Sequence, residues 1–159
     1  LSQEIGQSTS VSILDDGEIV YVARAAQSRV MSIALMPGSR LPAYCTSMGR
    51  VLLAAFTPEE ARRILEATPR VARTERTVTA IDALMAELDI VRKNGHAVID
   101  QEVEIGLRSI AVPLRTIRGK TVAALNVGLA ANAEPLEALV ARYLPPLLAV
   151  QAELATMIV

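Results

Sequence analysis

The chain has 159 residues, of which 52% are hydrophobic, a formal net charge of −1, one cysteine and one histidine. That length and composition predict one folded domain over residues 1–159, and apolar runs shorter than the roughly 20 residues of a membrane span predict a cytoplasmic protein without a transmembrane segment. The charge excludes a general attraction to nucleic acid, and the lone cysteine and histidine exclude an internal disulfide and a four-ligand Cys/His zinc site.

The first part of the chain reads as strands. Residues 10–14 and 18–25 are rich in β-branched side chains, and an Asp-Asp-Gly sequence ending at Gly17 separates them. This pattern predicts a β-hairpin. A third strand is predicted over residues 30–35, and residues 1–7 are expected to be the tail of a helix.

Three helices are predicted next, over residues 46–55, 57–67 and 79–94. The second begins with Thr-Pro-Glu-Glu, which supplies a cap, a proline in the first turn and acids that complement the helix dipole. The third has apolar residues at helical spacing. We expect Thr79 to cap it and Gly95 to end it.

Three further strands are predicted over residues 96–102, 107–115 and 121–129. A closing helix follows over residues 135–157, which a Pro-Pro pair in its middle is expected to bend or restart. Six strands with helices inserted between the third and fourth predict an α/β (α+β) domain. Its sheet would be mainly antiparallel and flanked by helices, as in small-molecule-sensing domains of the GAF or PAS type.

Two segments, residues 41–55 and 99–114, are the most informative for function. The first opens a helix at Thr46 and Ser47, and the backbone N–H groups of a helix start stabilise a carboxylate. The two hydroxyl groups would add hydrogen-bond donors, so the segment predicts an anion site. The alternative is that Thr46 is only an N-cap and Ser47 only fills the first turn.

Four short motifs are distinctive when taken together: Leu41-Pro42, Thr46-Ser47-Met48-Gly49-Arg50, Arg92-Lys93-Asn94-Gly95-His96 and Gly106-Leu107-Arg108-Ser109 with the strand after it. As a set they resemble the effector-binding domain of the IclR family of bacterial transcription regulators. The sequence of both segments is most similar to the branch that regulates protocatechuate and β-ketoadipate breakdown.

The resemblance implies the sensor half of a regulator. Its ligand would be a small organic acid, such as protocatechuate, 4-hydroxybenzoate or β-ketoadipate, and no cofactor or metal would be needed. DNA would be bound only through a separate N-terminal winged helix-turn-helix, which this chain does not contain. The large apolar fraction adds the expectation of a homodimer or homotetramer.

Several positions are implied as the effector site. Polar contacts are expected from Thr46, Ser47, Met48, Ser109 and the neighbourhood of Asp100. Apolar walls are expected from Val30, Ile33, Leu41 and Leu107. Whether Arg24 faces the ligand is left open, because periodicity does not decide its direction.

Two other classes of function compete with a sensor. Cys45 could be a nucleophile in a GAF-like enzyme, but it would need His96 as a base, and we expect no enzymatic activity. A ligand-free oligomerisation module is the second alternative. Acids around Glu102 could suggest a metal, but a solvated face is the simpler interpretation. If Glu102 is buried, we expect it to pair with Arg108 or a backbone N–H.

Overall fold

Helices and strands follow one another in nearly the predicted order. The computed structural model describes residues 1–27 and 34–159. Their elements are α1 (Ser2–Ile5), β1 (Ser8–Asp15), β2 (Glu18–Ala25), β3 (Arg40–Pro42), α2 (Ser47–Ala54), α3 (Pro58–Glu66), α4 (Ile81–Asn94), β4 (Ala97–Asp100), β5 (Leu107–Arg115), β6 (Thr121–Ala130) and α5 (Leu136–Ala155).

The six described strands form one sheet in the order β3-β2-β1-β6-β5-β4, and each neighbouring pair is antiparallel. The hairpin of β1 and β2 turns at Asp16 and Gly17, whose φ angles of 49° and 84° suit a tight two-residue turn. The predicted α+β fold, with a six-stranded, mainly antiparallel sheet flanked by helices, is confirmed.

The two faces of the sheet carry side chains of different size, because successive residues of a strand point to opposite faces. Toward α5 the central strands present large aliphatic residues, namely Ile110, Val112, Leu125 and Val127. Toward α2 they present small or polar residues, namely Ser12, Ser109, Ala111, Ala124, Asn126 and Gly128. The second face therefore leaves room between the sheet and α2.

Two local predictions are wrong or only partly testable. Residues 30–33 of the predicted third strand lie outside the described part of the chain, and residues 34–35 are not in a strand. The third strand in order is instead β3, whose three residues are too few to show a pattern. Ala80 rather than Thr79 is the N-cap of α4, and its side chain makes no capping hydrogen bond.

The closing helix α5 contains Pro145 and Pro146 without being divided. The expectation that the Pro-Pro pair restarts it is therefore wrong. One turn of the helix simply forgoes the hydrogen bonds that proline cannot donate. In the described residues, none of the helices has both the length and the hydropathy required to cross a bilayer.

Candidate functional site

A cavity lies between the start of α2 and the small-residue face of the sheet. It encloses about 450 Å³ of empty space, including its opening to solvent. Six residues predicted from the sequence line it: Leu41, Thr46, Ser47, Met48, Leu107 and Ser109. The predicted wall residues Val30 and Ile33 lie outside the described residues.

Ser47 and Ser109 join the two sides of this cavity. The Ser109 hydroxyl donates a 2.8 Å hydrogen bond to the Ser47 hydroxyl, and both residues are buried. This contact shows that the two segments singled out in the sequence meet in space.

The start of α2 retains unused hydrogen-bond donors. Thr46 is the N-cap, and its hydroxyl accepts from the Gly49 N–H at 3.2 Å while donating to the Pro42 carbonyl at 2.9 Å. The N–H groups of Ser47 and Met48 have no acceptor among the residues that the structure describes. The N-cap interpretation therefore holds for the Thr46 side chain, while the backbone of the next two residues remains available to a ligand.

Gly49 fixes where α2 begins. A Cβ at this position would overlap the carbonyl oxygen and Cα of Ala43. Only glycine allows the helix start to lie this close to the preceding chain. Met48 is also held, because the Ser12 hydroxyl donates to its sulfur at 3.2 Å.

Arg24 lines the same cavity, which answers the question of its direction. Its Nη1 donates to the Ser10 hydroxyl at 3.0 Å, and it forms no ion pair with any carboxylate of residues 1–27 and 34–159. Arg24 is opposite Ser10 and Tyr21 is opposite Ser12, with Val22 as the extra residue of a β-bulge. The bulge places Tyr21 and Arg24, three positions apart, on one face.

Tyr21 is a buried phenol beside this cation. Burial raises the pKa of Tyr21 to about 12, although the charge of Arg24 acts in the opposite direction. The phenol therefore keeps its proton at neutral pH and is available as a hydrogen-bond donor in the cavity.

Asn126 is a lining residue that the sequence did not reveal. It is only 9% exposed, and its Oδ1 has no hydrogen-bond partner. It lies within an apolar strand, opposite Ser10 on β1 and Ala111 on β5. Nothing in an isolated apolar run marks one polar residue as a cavity residue.

Asp100 is outside the cavity lining. Its carboxylate pairs with Arg76 at 2.7 Å and with Arg108 at 2.8 Å. Burial alone would raise the pKa of Asp100, but hydrogen bonds from Arg108 and Gln101, with the charges of Arg108 and Arg76, hold it below its usual value. These contacts assign Asp100 to the support of β4 and β5.

Glu102 is buried, as the sequence analysis allowed, but its charged partner is Arg50 rather than Arg108. Arg50 Nη2 lies 2.7 Å from Glu102 Oε1, and the same oxygen accepts from the Val78 N–H at 2.9 Å. The neighbouring Val103 lines the cavity. The ion pair thus ties the loop that carries Val103 to α2.

Cys45 is completely buried and does not line the cavity. Burial raises the pKa of the Cys45 thiol to about 11, so the nucleophilic thiolate is disfavoured. His96 contacts the carbonyl of Asn94 at the end of α4. Within the described residues, no three His, Cys, Asp or Glu side chains are grouped to hold a metal ion.

The fold and the cavity are those of a ligand-sensing α+β domain. Residues 1–150 match the family model described as the C-terminal domain of the bacterial transcriptional regulator IclR. The chain therefore belongs to the IclR family, as the resemblance predicted.

A curated regulator and a solved structure are both similar to this chain over nearly its whole length. The Pca regulon regulatory protein of Pseudomonas putida is 42% identical over 155 residues, which cover 97% of this chain and 53% of that protein. A transcriptional regulator from Rhodococcus sp. RHA1 superposes with a TM-score of 0.90 at 46% identity, covering 97% of this chain and 63% of that one.

A third similar structure contains a ligand. It is a double mutant of the PobR inducer-binding domain from Acinetobacter, in complex with 3-hydroxybenzoic acid. Its TM-score is 0.90 at 31% identity, over 99% of this chain and 92% of that one. The present chain spans about half the length of the curated relatives it matches.

Proposed function

We propose that this chain senses a small organic acid, which it binds in the cavity between α2 and the sheet. The observation that carries the proposal is Arg24, a cavity-lining guanidinium without a carboxylate partner in the described chain. A cation in a partly buried site is stabilised by an anion, and a planar guanidinium suits a carboxylate.

The start of α2 would share the carboxylate with Arg24. The N–H groups of Ser47 and Met48 supply donors and the positive end of the helix dipole. The hydroxyls of Ser47 and Ser109 can exchange the hydrogen bond between them for hydrogen bonds to the ligand. Leu41, the Met48 side chain and Leu107 would pack on the carbon skeleton.

The effector class we propose is an aromatic acid such as protocatechuate or 4-hydroxybenzoate, with the dicarboxylate β-ketoadipate as the alternative. Two similarities support this choice. One is the 42% identity to a Pca regulon regulator, and the other is the likeness to an inducer-binding domain in complex with 3-hydroxybenzoic acid.

In the full-length regulator, the acid would control DNA binding or activation through the separate N-terminal winged helix-turn-helix, in the cytoplasm. Closure of α2 and β5 on the ligand can do this only if the two states of the protein bind the acid with different affinity. A change in the relative geometry of the subunits would transmit ligand binding to the DNA-binding domain, so we propose a homodimer or homotetramer. Exposed apolar residues such as Ile13, Phe56 and Val122 support self-association, and sedimentation showing only monomer at micromolar concentration would contradict it.

We propose binding without turnover and without a cofactor or metal. The buried thiol of Cys45 supports this over a GAF-like enzyme. A Cys45→Ser variant should bind organic acids as the unaltered chain does, and neither protein should consume the acid. Loss of a measurable turnover on this substitution would favour the enzyme.

A thermal-shift screen of organic acids tests the proposal. At least one aromatic acid or dicarboxylate should raise the unfolding midpoint, because a ligand that binds only the folded state stabilises it. Arg24→Met should greatly reduce the shift, whereas Arg63→Met, at an exposed arginine of α3, should keep it. A screen without any stabilising acid would favour the ligand-free oligomerisation module.

A further inference from the structure

The amide of Asn126 is the one buried side-chain group of the described residues whose oxygen lacks a partner, and it faces the cavity. We propose that Asn126 determines specificity by accepting a hydrogen bond from a hydroxyl group on the effector. This inference rests on the proposed function, because it assigns a second contact within the same site.

An unpartnered buried acceptor is uncommon in folded proteins, because it has lost water without gaining a protein donor. Asn126 is 9% exposed, so bulk solvent does not compensate for the missing contact. A molecule in the cavity that brings a donor would remove this cost. An unsubstituted acid would leave the cost in place.

The neighbouring hydroxyl groups do not supply that donor. Ser12 donates to the sulfur of Met48, and Ser109 donates to Ser47. Opposite Asn126 on β5 is Ala111, which has no polar side chain. None of the described residues donates to Asn126 Oδ1, whereas a hydroxyl group on a bound molecule would supply a donor.

Arg24 and Asn126 flank the same residue of β1, since each is opposite Ser10. Adjacent strands are roughly 5 Å apart, so the two side chains occupy neighbouring positions across about two strand spacings. A compact acid can reach both, with its carboxylate at Arg24 and its hydroxyl at Asn126. This pairing favours a hydroxylated aromatic acid over an oxo acid, because a ketone oxygen accepts hydrogen bonds and donates none.

Calorimetry with paired probes tests the assignment. The probes are 4-hydroxybenzoate and 3-hydroxybenzoate, each compared with benzoate and with its methoxy analogue, and β-ketoadipate compared with adipate. The unaltered chain should bind one hydroxybenzoate at least about 10-fold tighter than benzoate, as expected for one well-made hydrogen bond. The matching methoxy acid, which has no donor, should not gain this preference.

Asn126→Leu should abolish the preference, so that hydroxybenzoate and benzoate bind with similar affinity while benzoate binds no more weakly than before. The same substitution should leave the unfolding midpoint of the ligand-free chain unchanged or raised, because it removes an unpaired buried acceptor. Asn126→Ala is the second variant, with less bulk at the same place, and it should show the same loss of preference.

Two outcomes would overturn this inference and leave the organic-acid site standing. One is a hydroxyl preference that persists in both Asn126 variants. The other is binding of acids by the unaltered chain without any hydroxyl preference, including a preference for β-ketoadipate over adipate that depends on Asn126. If no acid binds the unaltered chain, both this inference and the proposed function fail.

Discussion

Ser109 on β5 donates a 2.8 Å hydrogen bond to Ser47 at the start of α2, across 62 positions of sequence. This bond closes the small-residue face of the sheet against α2, whose first residues line the cavity. It links the two segments through which an acid would be held, so a ligand that inserts its carboxylate here must exchange a protein contact for its own.

Ser109→Leu should greatly weaken acid binding. The substitution removes a hydroxyl, which is worth about 1.5–3 kcal/mol when it bonds a charged group, or roughly 10-fold to 100-fold in affinity. The added bulk should weaken binding further by occupying the cavity. Ser109→Ala is the control for the hydroxyl alone and should show the smaller loss. Calorimetry with the best acid would contradict this placement if Ser109→Leu bound it normally.

Gly49→Ala and Gly128→Ala should separate stability from binding. The new methyl at Gly49 overlaps Ala43, so we expect destabilisation of about 1–3 kcal/mol and a lower unfolding midpoint. At Gly128 an added Cβ meets no atom within 4 Å and projects into the cavity. Gly128→Ala should therefore keep the unfolding midpoint and change acid affinity. Equal midpoints for the two variants would contradict the close approach at Gly49.

The Arg50–Glu102 pair should be strongly coupled in stability. Both groups are buried, and removing one partner of such a pair typically costs about 3–5 kcal/mol, because it leaves a buried charge alone. Urea unfolding of Arg50→Met, Glu102→Leu and the double variant should show that the double loses less than the sum of the singles. Strict additivity would mean that the pair contributes no coupling.

Asp100 should make the free energy of unfolding depend on pH in the acidic range. Its pKa is lower in the folded chain than the ordinary value of 3.8, so its contribution is present above that value and is lost as pH falls through the folded pKa. Asp100→Asn should thus lower the free energy of unfolding at pH 7, and the difference should shrink in strong acid. Asp82→Asn, at an exposed carboxylate of α4, is the control and should show little effect at either pH. A difference that stays constant into strong acid would contradict the ion pairing of Asp100.

Local signals in the sequence account for most of the fold. Thr46 caps the start of α2 and Gly95 ends α4, both as predicted. The capping box of Thr57 and Glu60 is present in α3. β2 and β5 have the predicted bounds because their apolar patterns are uninterrupted and their turns contain glycine. Short β3 escaped detection because pairing with β2, rather than its own composition, makes it a strand.

The polar lining residues Tyr21, Arg24 and Asn126 were harder to predict from the sequence. The extra residue Val22 shifts the register of β2, so a strict alternation of two cannot place Tyr21 and Arg24 on one face. Asn126 escaped notice because its place in the cavity depends on which elements pack over the sheet, and the local sequence does not show this. Glu102 could be expected to pair, but the choice of Arg50 over Arg108 depends on how α2 packs over the loop.

The most direct test of the account is calorimetry of the unaltered chain with 4-hydroxybenzoate and with its methyl ester, repeated with Arg24→Met. The ester keeps the ring and the hydroxyl but has no negative charge. We predict that the acid binds at least about 10-fold tighter than the ester, and that Arg24→Met removes most of this preference. Equal affinity for acid and ester, or a preference that Arg24→Met leaves intact, would contradict an organic-anion site in this cavity.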